Sequence, residues 1–278
     1  MLVDLHMHSN RSDGALPPRA LVELAHRNGV TLMSLTDHDT MEGVGEARTV
    51  ARELGIEFIS GVEISSRWGG RGIHVVGLGL DETREDVTAF FDSVALRRDR
   101  RGREMNACFE KLGIRGAYEG ALALAGNKSI LSRTHFALWL LNEGWVKNYQ
   151  DAFDKYLRPG APCSVDVDWP TVEESVRFIR EKGGLAVLAH PGRYHFSSDW
   201  MVEELLKHFK AVGGEAIEVC SGSQSRSDDV RFAAFAQSMG FLASTGSDWH
   251  SDRSSRPKPG EQPQLPEGVV PVWTRFGF

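Results

Sequence analysis

The sequence MLVDLHMHS at residues 1–9 combines a short, mostly apolar run with two histidines at alternate positions. Side chains alternate between the two faces of a β-strand, so His6 and His8 are expected to project from the same face. The apolar run ends where the histidines begin, which predicts a buried strand with polar side chains at its carboxyl end. Barrel enzymes build their active sites at such strand ends.

Short polar motifs of the same kind recur along the chain, and most of them follow an apolar run. The motifs are SDG at 12–14, LTDHD at 35–39, GVEIS at 61–65, GIHVVG at 72–77, LAHPGRY at 188–194 and GSDWH at 246–250. Together with the first motif, they supply the candidate metal ligands His6, His8, Asp13, His38, Glu63, His74, His190, Asp248 and His250. Each motif alone is more typical of a helix cap or a buried core residue. Combined, these imidazole and carboxylate groups predict a cluster of Zn, Mn or Fe ions, and the chain is interpreted as a multinuclear metallohydrolase.

Segments of strand and helix character alternate along most of the sequence. Strands are predicted at 2–5, 31–36, 56–60, 72–79, 185–189, 215–219 and 241–246, with helices between most of them. This alternation predicts an α/β fold with a parallel sheet, and seven such strands favour a distorted (β/α)7 TIM-like barrel. Helix-forming residues replace the alternation between 81 and 159. We therefore expect a barrel formed by 1–80 and 160–278, and an inserted small helical domain at 81–159 that covers the active site.

The composition is ordinary for a globular chain of 278 residues, with 41% hydrophobic and 25% charged residues. A net charge of −6 disfavours stable binding to duplex nucleic acid. No apolar run reaches the roughly 20 residues that span a membrane, and the amino terminus lacks a signal-like pattern. The protein is therefore predicted to be cytoplasmic, without a membrane partner. The sequence leaves its oligomeric state open.

The ordered motifs DLHMHS, SDG, TDHD, GVEIS, AHPGRY and GSDWH resemble those of the polymerase and histidinol phosphatase (PHP) family of metal-dependent phosphoesterases. The resemblance covers the whole barrel and implies the PHP fold. It also implies roughly two or three divalent ions per chain, most often Mn²⁺, with Fe²⁺ or Zn²⁺ as alternatives. The implied ligand sets are His6, His8, Glu63 and Asp248 for one ion, Asp13, His38 and His250 for another, and His74 and His190 for a third, with Glu63 bridging.

Two further motifs, SRTHFA at 132–137 and AHPGRYH at 189–195, resemble the branch that contains RNase AM and nucleoside 3′,5′-bisphosphate phosphatases. Thr134 departs from the branch pattern, since many relatives have proline there. The resemblance implies that a metal-bridging water hydrolyses the 3′-phosphate of a substrate such as adenosine 3′,5′-bisphosphate, and that short 5′-phosphorylated RNA is also trimmed. The candidate substrate-binding residues are Arg133, His135, Arg193, Tyr194 and His195. Arg133 is the candidate clamp on a second phosphate, and the two histidines are candidate acids or phosphate ligands, with a structural role as the alternative for each.

Other functions stay open at this point. A histidinol-phosphate phosphatase, or another small-molecule phosphomonoesterase, would share the metal cluster without needing a second phosphate clamp. A non-catalytic PHP scaffold or polymerase accessory would be expected to have lost ligands, and a metal-sensing regulator would be expected to carry a DNA-reading motif. The basic run RRDRRGR at 97–103 is by default a solvated helix face, and alternatively a surface that attracts a polyanionic substrate.

Overall fold

The computed structural model of the protein describes residues 1–194, 196, 198–253 and 256–278. The strands are β1 Val3–Asp4, β2 Leu32–Met33, β3 Glu57–Phe58, β4 Gly61–Trp68, β5 Arg71–Leu78, β6 Leu185–Leu188, β7 Ala216–Ser221 and β8 Leu242–Gly246. They form two sheets, ordered β1-β2-β3 and β4-β5-β6-β7-β8.

Hydrogen bonds connect the two sheets on both sides. Next to β1 and β8, the N–H of Leu5 donates to Thr245 O at 3.0 Å. Next to β2 and β4, the N–H of Glu63 donates to Asp37 O at 3.1 Å. When β3 and β4 are counted as one interrupted strand, there are seven strands, and each is hydrogen-bonded to a neighbour on both sides. This arrangement agrees with the predicted distorted (β/α)7 barrel.

Strand β5 departs from the predicted parallel sheet, because it is antiparallel to both β4 and β6. The sequence prediction included a strand at 72–79 but none at 61–68, so it missed the hairpin that β4 and β5 form. Gly69 and Gly70 make the turn of this hairpin, with φ of 55° and 74°. A connection of two residues can join only antiparallel strands. The prediction of a parallel sheet is therefore wrong for β5, whereas the pairs β1–β2, β2–β3, β6–β7 and β7–β8 are parallel.

Helices connect most of the parallel strands. They are α1 Pro18–Arg27, α2 Val44–Glu53, α3 Glu85–Lys111, α4 Ala117–Leu124, α5 Arg133–Asn142, α6 Tyr149–Ala152, α7 Val172–Glu181, α8 Asp199–Ala211 and α9 Arg226–Met239. In α1, Pro18 begins the helix, Leu21 and Ala25 are buried on one face, and Gly29 with φ of 84° follows the end. Within the described ranges, no helix has the length and apolar character needed to cross a membrane.

Residues 81–159 contain α3 to α6, followed by a π-helical turn at Phe153–Leu157. The segment has its own apolar core, in which Phe109 and Phe136 are buried. Helix α3 reaches the barrel through Arg98, whose side chain is buried and whose Nε donates to Asp39 Oδ2 at 2.8 Å. The predicted helices are thus present, while the division into two domains at these boundaries stays a prediction.

Candidate metal centre

All of the candidate ligands lie in a strand or in a loop that follows one. They are His6 and His8 with Asp13 after β1, His38 after β2, Glu63 in β4, His74 in β5, His190 after β6, and Asp248 and His250 after β8. The carboxyl ends of parallel strands meet at one end of a barrel, which brings loops that are distant in sequence together. The structure accordingly gathers side chains from positions 6 to 250 into one cluster of buried and half-buried groups.

Glu63 lies at the centre of this cluster, and both of its carboxylate oxygens face imidazole rings. Its Oε2 is 3.2 Å from His6 Nε2, 3.3 Å from His8 Nε2 and 3.0 Å from His38 Nδ1. Its Oε1 is 2.8 Å from His74 Nδ1 and 2.9 Å from His190 Nε2. A carboxylate that faces rings from several strands on both oxygens is placed to bridge cations.

Asp248 and Asp13 supply the other carboxylates. Asp248 Oδ1 is 3.3 Å from His8 Nε2, and Asp13 Oδ1 is 3.3 Å from His250 Nε2. Ligand atoms within 4.8 Å of one another form three groups: His6, His8, Glu63 and Asp248; His8, Asp13, His38 and His250; and His38, Glu63 and His74. The first two groups contain two of the implied sets. The third has His38 where the resemblance implied His190.

Many of the ligand atoms are buried without a hydrogen-bond partner among the described residues. They are His6 Nε2, both ring nitrogens of His8, His38 Nδ1, His190 Nδ1, Asp13 Oδ1, Glu63 Oε2 and Asp248 Oδ1. Although several approach one another closely, they lack hydrogen-bond geometry. Each buried and unsatisfied polar group costs about 1–3 kcal/mol. Divalent cations would satisfy these atoms, and the mixture of imidazole and carboxylate suits Mn, Fe or Zn.

The protonation states of Glu63, His8 and His190 also suit cations. Burial opposes the ionisation of Glu63, yet the attraction of His74 and other rings holds its pKa well below the usual range. Burial lowers the pKa of His190 to about 3. Burial, together with repulsion from His250, lowers the pKa of His8 well below its usual value. Metal ligands must be ionised carboxylates and neutral imidazoles, which is the state that these three shifts favour. For His6 and His38, burial is outweighed by the attraction of Glu63 and neighbouring carboxylates, which raises the pKa of both rings, so a cation would have to displace their protons.

The backbone is strained at the same place. His190, Asp248 and Asp39 have φ of 30°, 51° and 52°, and they are the non-glycine residues with positive φ in the described part of the chain. Such conformations cost about 1–3 kcal/mol each and persist where neighbouring contacts hold them. At His190 the contact is a hydrogen bond of 2.6 Å from its N–H to Glu218 Oε2.

Glu218 is a site residue that the sequence prediction missed. It lies in β7, and its Oε1 is 3.1 Å from His6 Nδ1. If Nδ1 donates its proton to Glu218, Nε2 of His6 is left free to face Glu63. A Cβ on Gly246 would lie 2.2 Å from His6 Cβ, so the close packing of this pair requires glycine there. The signal in the sequence is a lone carboxylate inside the apolar strand AIEVCS at 216–221.

The residues predicted to bind substrate differ in their surroundings. Arg133 begins α5, donates from Nη1 to Leu157 O at 3.3 Å, and has no carboxylate at ion-pair distance among the described residues. Arg193 Nη1 is 3.5 Å from Asp248 Oδ2. His195 lies outside the described residues.

His135 and Tyr194 already make hydrogen bonds within the protein. His135 is 4% exposed, and its Nδ1 accepts the N–H of Ser132 at 3.1 Å. The hydroxyl oxygen of Tyr194 accepts the N–H of His74 at 2.8 Å. Burial raises the pKa of Tyr194 well above its usual value. These contacts favour a positioning role for both side chains.

Two contacts beside the cluster had no clear signal in the sequence. Arg256, in the irregular carboxyl-terminal segment, lies with Nη1 2.9 Å from Asp248 Oδ1. Thr134 donates from Oγ1 to Asp13 Oδ2 at 2.9 Å. Thr134 is the position that departs from the branch pattern, and proline there would be unable to make this bond. Helix α5 is thus tied directly to a candidate ligand.

Comparison with known proteins agrees with this geometry. Residues 4–161 match the PHP domain. The chain is 41% identical over 271 residues to a 3′,5′-nucleoside bisphosphate phosphatase from Chromobacterium violaceum, covering 98% of this chain and 95% of the relative. It is 40% identical over 273 residues to a 5′-3′ exoribonuclease from Haemophilus influenzae, covering 98% of both.

A solved structure is also similar to this chain over nearly its full length. It is an amidohydrolase from Chromobacterium violaceum with bound sulfate and no metal, and it superposes with a TM-score of 0.94 at 40% identity, covering 100% of this chain and 96% of the other. Similarity therefore extends over nearly the full length in both sequence and structure. On these grounds, and with the strand-end motifs gathered into one cluster, the chain belongs to the PHP family.

Proposed function

We propose that the protein hydrolyses the 3′-phosphate of nucleoside 3′,5′-bisphosphates, such as adenosine 3′,5′-bisphosphate, to give a nucleoside 5′-monophosphate and phosphate. The relative from Chromobacterium violaceum, named a 3′,5′-nucleoside bisphosphate phosphatase, supports this substrate. The observation that carries the proposal is the position of Arg133. It is an arginine without a carboxylate partner among the described residues, and the next residue, Thr134, bonds to Asp13 of the cluster. A substrate with two phosphates offers one to the cluster and the other to this arginine.

Trimming of short 5′-phosphorylated RNA is a second activity of the same site in this proposal. In such RNA the 3′-phosphate of the first nucleotide is a diester, and its hydrolysis releases a nucleoside 5′-monophosphate by the same displacement. The relative from Haemophilus influenzae, named a 5′-3′ exoribonuclease, supports this extension. Nucleotides and short RNA are intracellular, so a cytoplasmic location is part of the proposal.

The cluster is the proposed binding site for divalent cations, Mn²⁺ first and Fe²⁺ or Zn²⁺ as alternatives. The proposed ligands are His6, His8, Glu63 and Asp248 for one ion, Asp13, His38 and His250 for another, and His74 and His190 with Glu63 for a third. When bound, such ions activate water as a nucleophile and neutralise charge on the phosphoryl oxygens.

The side chains around the cluster would position the substrate. Arg193 and Arg256 both contact Asp248, which places positive charge beside the cluster to attract the reacting phosphate. Arg133 would hold the remote phosphate, so that binding energy from the non-reacting group orients the reacting one. The leaving 3′-oxygen needs a proton, and His195 is the proposed acid. His135 is less suited, because its ring bonds to Ser132 and to the backbone of Ser12.

A substrate screen tests the proposed function, with release of inorganic phosphate as the readout for the small molecules and release of nucleoside 5′-monophosphate as the readout for RNA. The Mn-loaded protein is assayed with adenosine 3′,5′-bisphosphate, adenosine 3′-monophosphate, adenosine 5′-monophosphate, histidinol phosphate and short 5′-phosphorylated RNA. We expect the highest kcat/KM for the bisphosphate. A clear preference for histidinol phosphate would instead identify a small-molecule phosphomonoesterase. No turnover of any substrate would favour a scaffold role.

Metal removal should abolish activity reversibly. We expect roughly two or three transition ions per chain by elemental analysis, because the cluster offers more ligands than one ion can use. After chelation the buried carboxylates and rings are left uncompensated, so the melting temperature should fall and should recover when Mn²⁺ is added. Full activity in a chelated sample without measurable metal would contradict this prediction.

Substitution of Glu218 by glutamine should weaken metal binding by about ten- to a hundredfold, the usual effect of losing a partner that orients a ligand. The amide nitrogen can turn towards His6 Nδ1 and favour the wrong tautomer. Direct metal titration measures the change, independently of turnover. The control is Glu215→Gln, which precedes the same strand but pairs with Arg275 at 3.2 Å. Equal metal affinity in the two variants would show that Glu218 does not orient the ligands.

A further inference from the structure

The basic run at 97–103 does not form one solvated face. Arg100 is exposed, whereas Arg98 is buried. The side chain of Arg98 forms an ion pair with Asp39, which is also buried, and its guanidinium lies over the ring of Trp169 at 5.3 Å from the centroid. Taking two charges out of water is costly unless further hydrogen bonds hold them. The other hydrogen bonds of this pair therefore indicate what it does.

The pair acts on the loop that carries His38. Asp39 is the next residue, and its φ of 52° is a strained conformation that persists where neighbouring contacts hold it. Its Oδ2 accepts Nε of Arg98 at 2.8 Å, and its Oδ1 accepts the N–H of Ser65 at 2.7 Å. The N–H of Asp39 donates to Glu63 O at 2.9 Å. Arg98 thus helps to fix the backbone next to a candidate ligand.

The same guanidinium also contacts the segment before α5. Nη1 of Arg98 donates to Leu131 O in a long hydrogen bond of 3.4 Å. Three residues later, in the first turn of α5, Thr134 Oγ1 donates to Asp13 Oδ2 at 2.9 Å. Three residues are less than one turn of helix, so a shift at Leu131 is passed on to Thr134. Arg98 is therefore connected to Asp13 on one side and to His38 on the other.

The two ligands connected with Arg98 belong to one candidate site of the cluster, the Asp13 site, which consists of His8, Asp13, His38 and His250. The Asp248 site consists of His6, His8, Glu63 and Asp248. Other contacts hold its carboxylates. Glu63 lies in β4 and pairs with Val76 of β5, and the N–H of Asp248 donates to His6 O at 2.8 Å. Loss of Arg98 should therefore affect the Asp13 site more than the Asp248 site.

On the basis of the metal centre in the proposed function, we propose that Arg98 is a positioning residue for the Asp13 site. By holding Asp39 and Leu131 together, it fixes the loop after β2 relative to the start of α5, and with them the separation of His38 and Asp13. His38 Nε2 lies 3.9 Å from Asp13 Oδ1. One cation can join atoms at this separation, since bonds from zinc to imidazole and carboxylate are each about 2.0–2.2 Å long. Helix α3 thus contributes to metal binding without supplying a ligand.

The test is a titration of metal-free Arg98→Gln with Mn²⁺, without substrate. We expect one Mn²⁺ per chain to bind about ten- to a hundredfold more weakly than in wild type, the usual effect of losing a residue that orients a ligand. The remaining Mn²⁺ should keep wild-type affinity. Arg100→Gln is the matched control, because Arg100 is exposed on the same helix, and it should bind Mn²⁺ as wild type does. An equal loss for every ion, or no loss, would overturn the proposal.

Hydrogen exchange of the metal-free protein gives a local readout. We expect the N–H of Asp39 to exchange about tenfold faster in Arg98→Gln than in wild type, because the contact that holds its backbone is gone. The N–H of Asp248, which donates to His6 O, should exchange at the wild-type rate. Equal acceleration of both amides would indicate general destabilisation and would count against a positioning role.

A second variant covers the case in which Arg98→Gln does not fold, since removal of one partner leaves the charge of Asp39 buried. Arg98→Met combined with Asp39→Asn removes both charges, and the amide oxygen at position 39 can still accept the N–H of Ser65. We expect this double variant to melt close to wild type and still to bind one Mn²⁺ weakly, because the connection between the two loops is lost. Wild-type Mn²⁺ affinity in the double variant would show that the pair serves stability alone.

The outcomes separate this proposal from the proposed function. If wild type binds Mn²⁺ but does not prefer adenosine 3′,5′-bisphosphate, the proposed substrate is wrong, and the titration still decides the role of Arg98. If wild type prefers the bisphosphate and Arg98→Gln binds every ion as wild type does, the role of Arg98 is overturned and the proposed function stands. Wild-type protein that binds no Mn²⁺ would overturn both.

Discussion

Replacement of Asp248 by asparagine is expected to abolish phosphate release, with a loss of about a thousandfold or more in kcat. This corresponds to roughly 4 kcal/mol of lost transition-state stabilisation, in the range that metal ions supply by neutralising charge. Asp248 Oδ1 lies 3.3 Å from His8 Nε2 and 2.9 Å from Arg256 Nη1. Asparagine keeps the volume but removes the charge, so the cluster loses a carboxylate without a change in packing.

Two measurements distinguish this effect from unfolding. Circular dichroism of Asp248→Asn should match wild type, whereas Mn²⁺ should raise the melting temperature of wild type and have little effect on the variant. Asp252→Asn is the matched control, because Asp252 is an exposed carboxylate nearby whose partner is Lys258 at 3.9 Å. Wild-type turnover and unchanged metal content in Asp248→Asn would remove the basis for a metal centre at this cluster.

Arg133→Ala is expected to lower kcat/KM for adenosine 3′,5′-bisphosphate by about ten- to a hundredfold, which corresponds to about 1.5–3 kcal/mol for a charge-assisted contact. The loss should be far smaller for adenosine 3′-monophosphate, which has no remote phosphate to hold. The guanidinium donates to Leu157 O at 3.3 Å, so its removal takes away one hydrogen bond to the backbone. A small loss of stability should therefore accompany the loss of selectivity.

Steady-state kinetics on both substrates measures the Arg133 effect. Arg115→Ala serves as the control, because Arg115 is an exposed arginine in the same helical segment. Arg133→Lys should recover only part of the activity, since an ammonium group reproduces the charge but not the bidentate geometry. If Arg133→Ala reduces turnover of both substrates equally, Arg133 does not bind the remote phosphate.

Local patterns in the sequence predicted most of the strands and helices. The apolar runs before His6 and His190 are the strands β1 and β6, and His74 lies within the strand β5. The helical character predicted for 81–159 is confirmed by α3 at Glu85–Lys111 and by the helices that follow it. These elements could be predicted because periodicity and capping residues act over a few positions. The hairpin at Gly69 and Gly70 was missed, since the strand before it continues an already predicted one after a break of two residues.

The candidate ligands could be identified in sequence because most of them follow a recognisable strand, and the order of strands in a barrel dictates which loops meet. Contacts between side chains far apart in sequence could not be predicted in this way. Glu218 with His6 and Arg98 with Asp39 join positions 212 and 59 residues apart. No local pattern encodes such contacts, because they depend on which faces of packed elements come together.

The sequence by itself thus determined the type of fold and the set of candidate metal ligands, since both follow from short-range periodicity and from residue types at strand ends. Only the tertiary structure decided which atoms of those side chains face one another, which carboxylate contacts Nδ1 of His6, and which arginines of the basic run are buried. The physical reason is burial. A guanidinium or carboxylate is ordinarily a surface group, and its function changes when packing removes it from water and leaves it beside another charge.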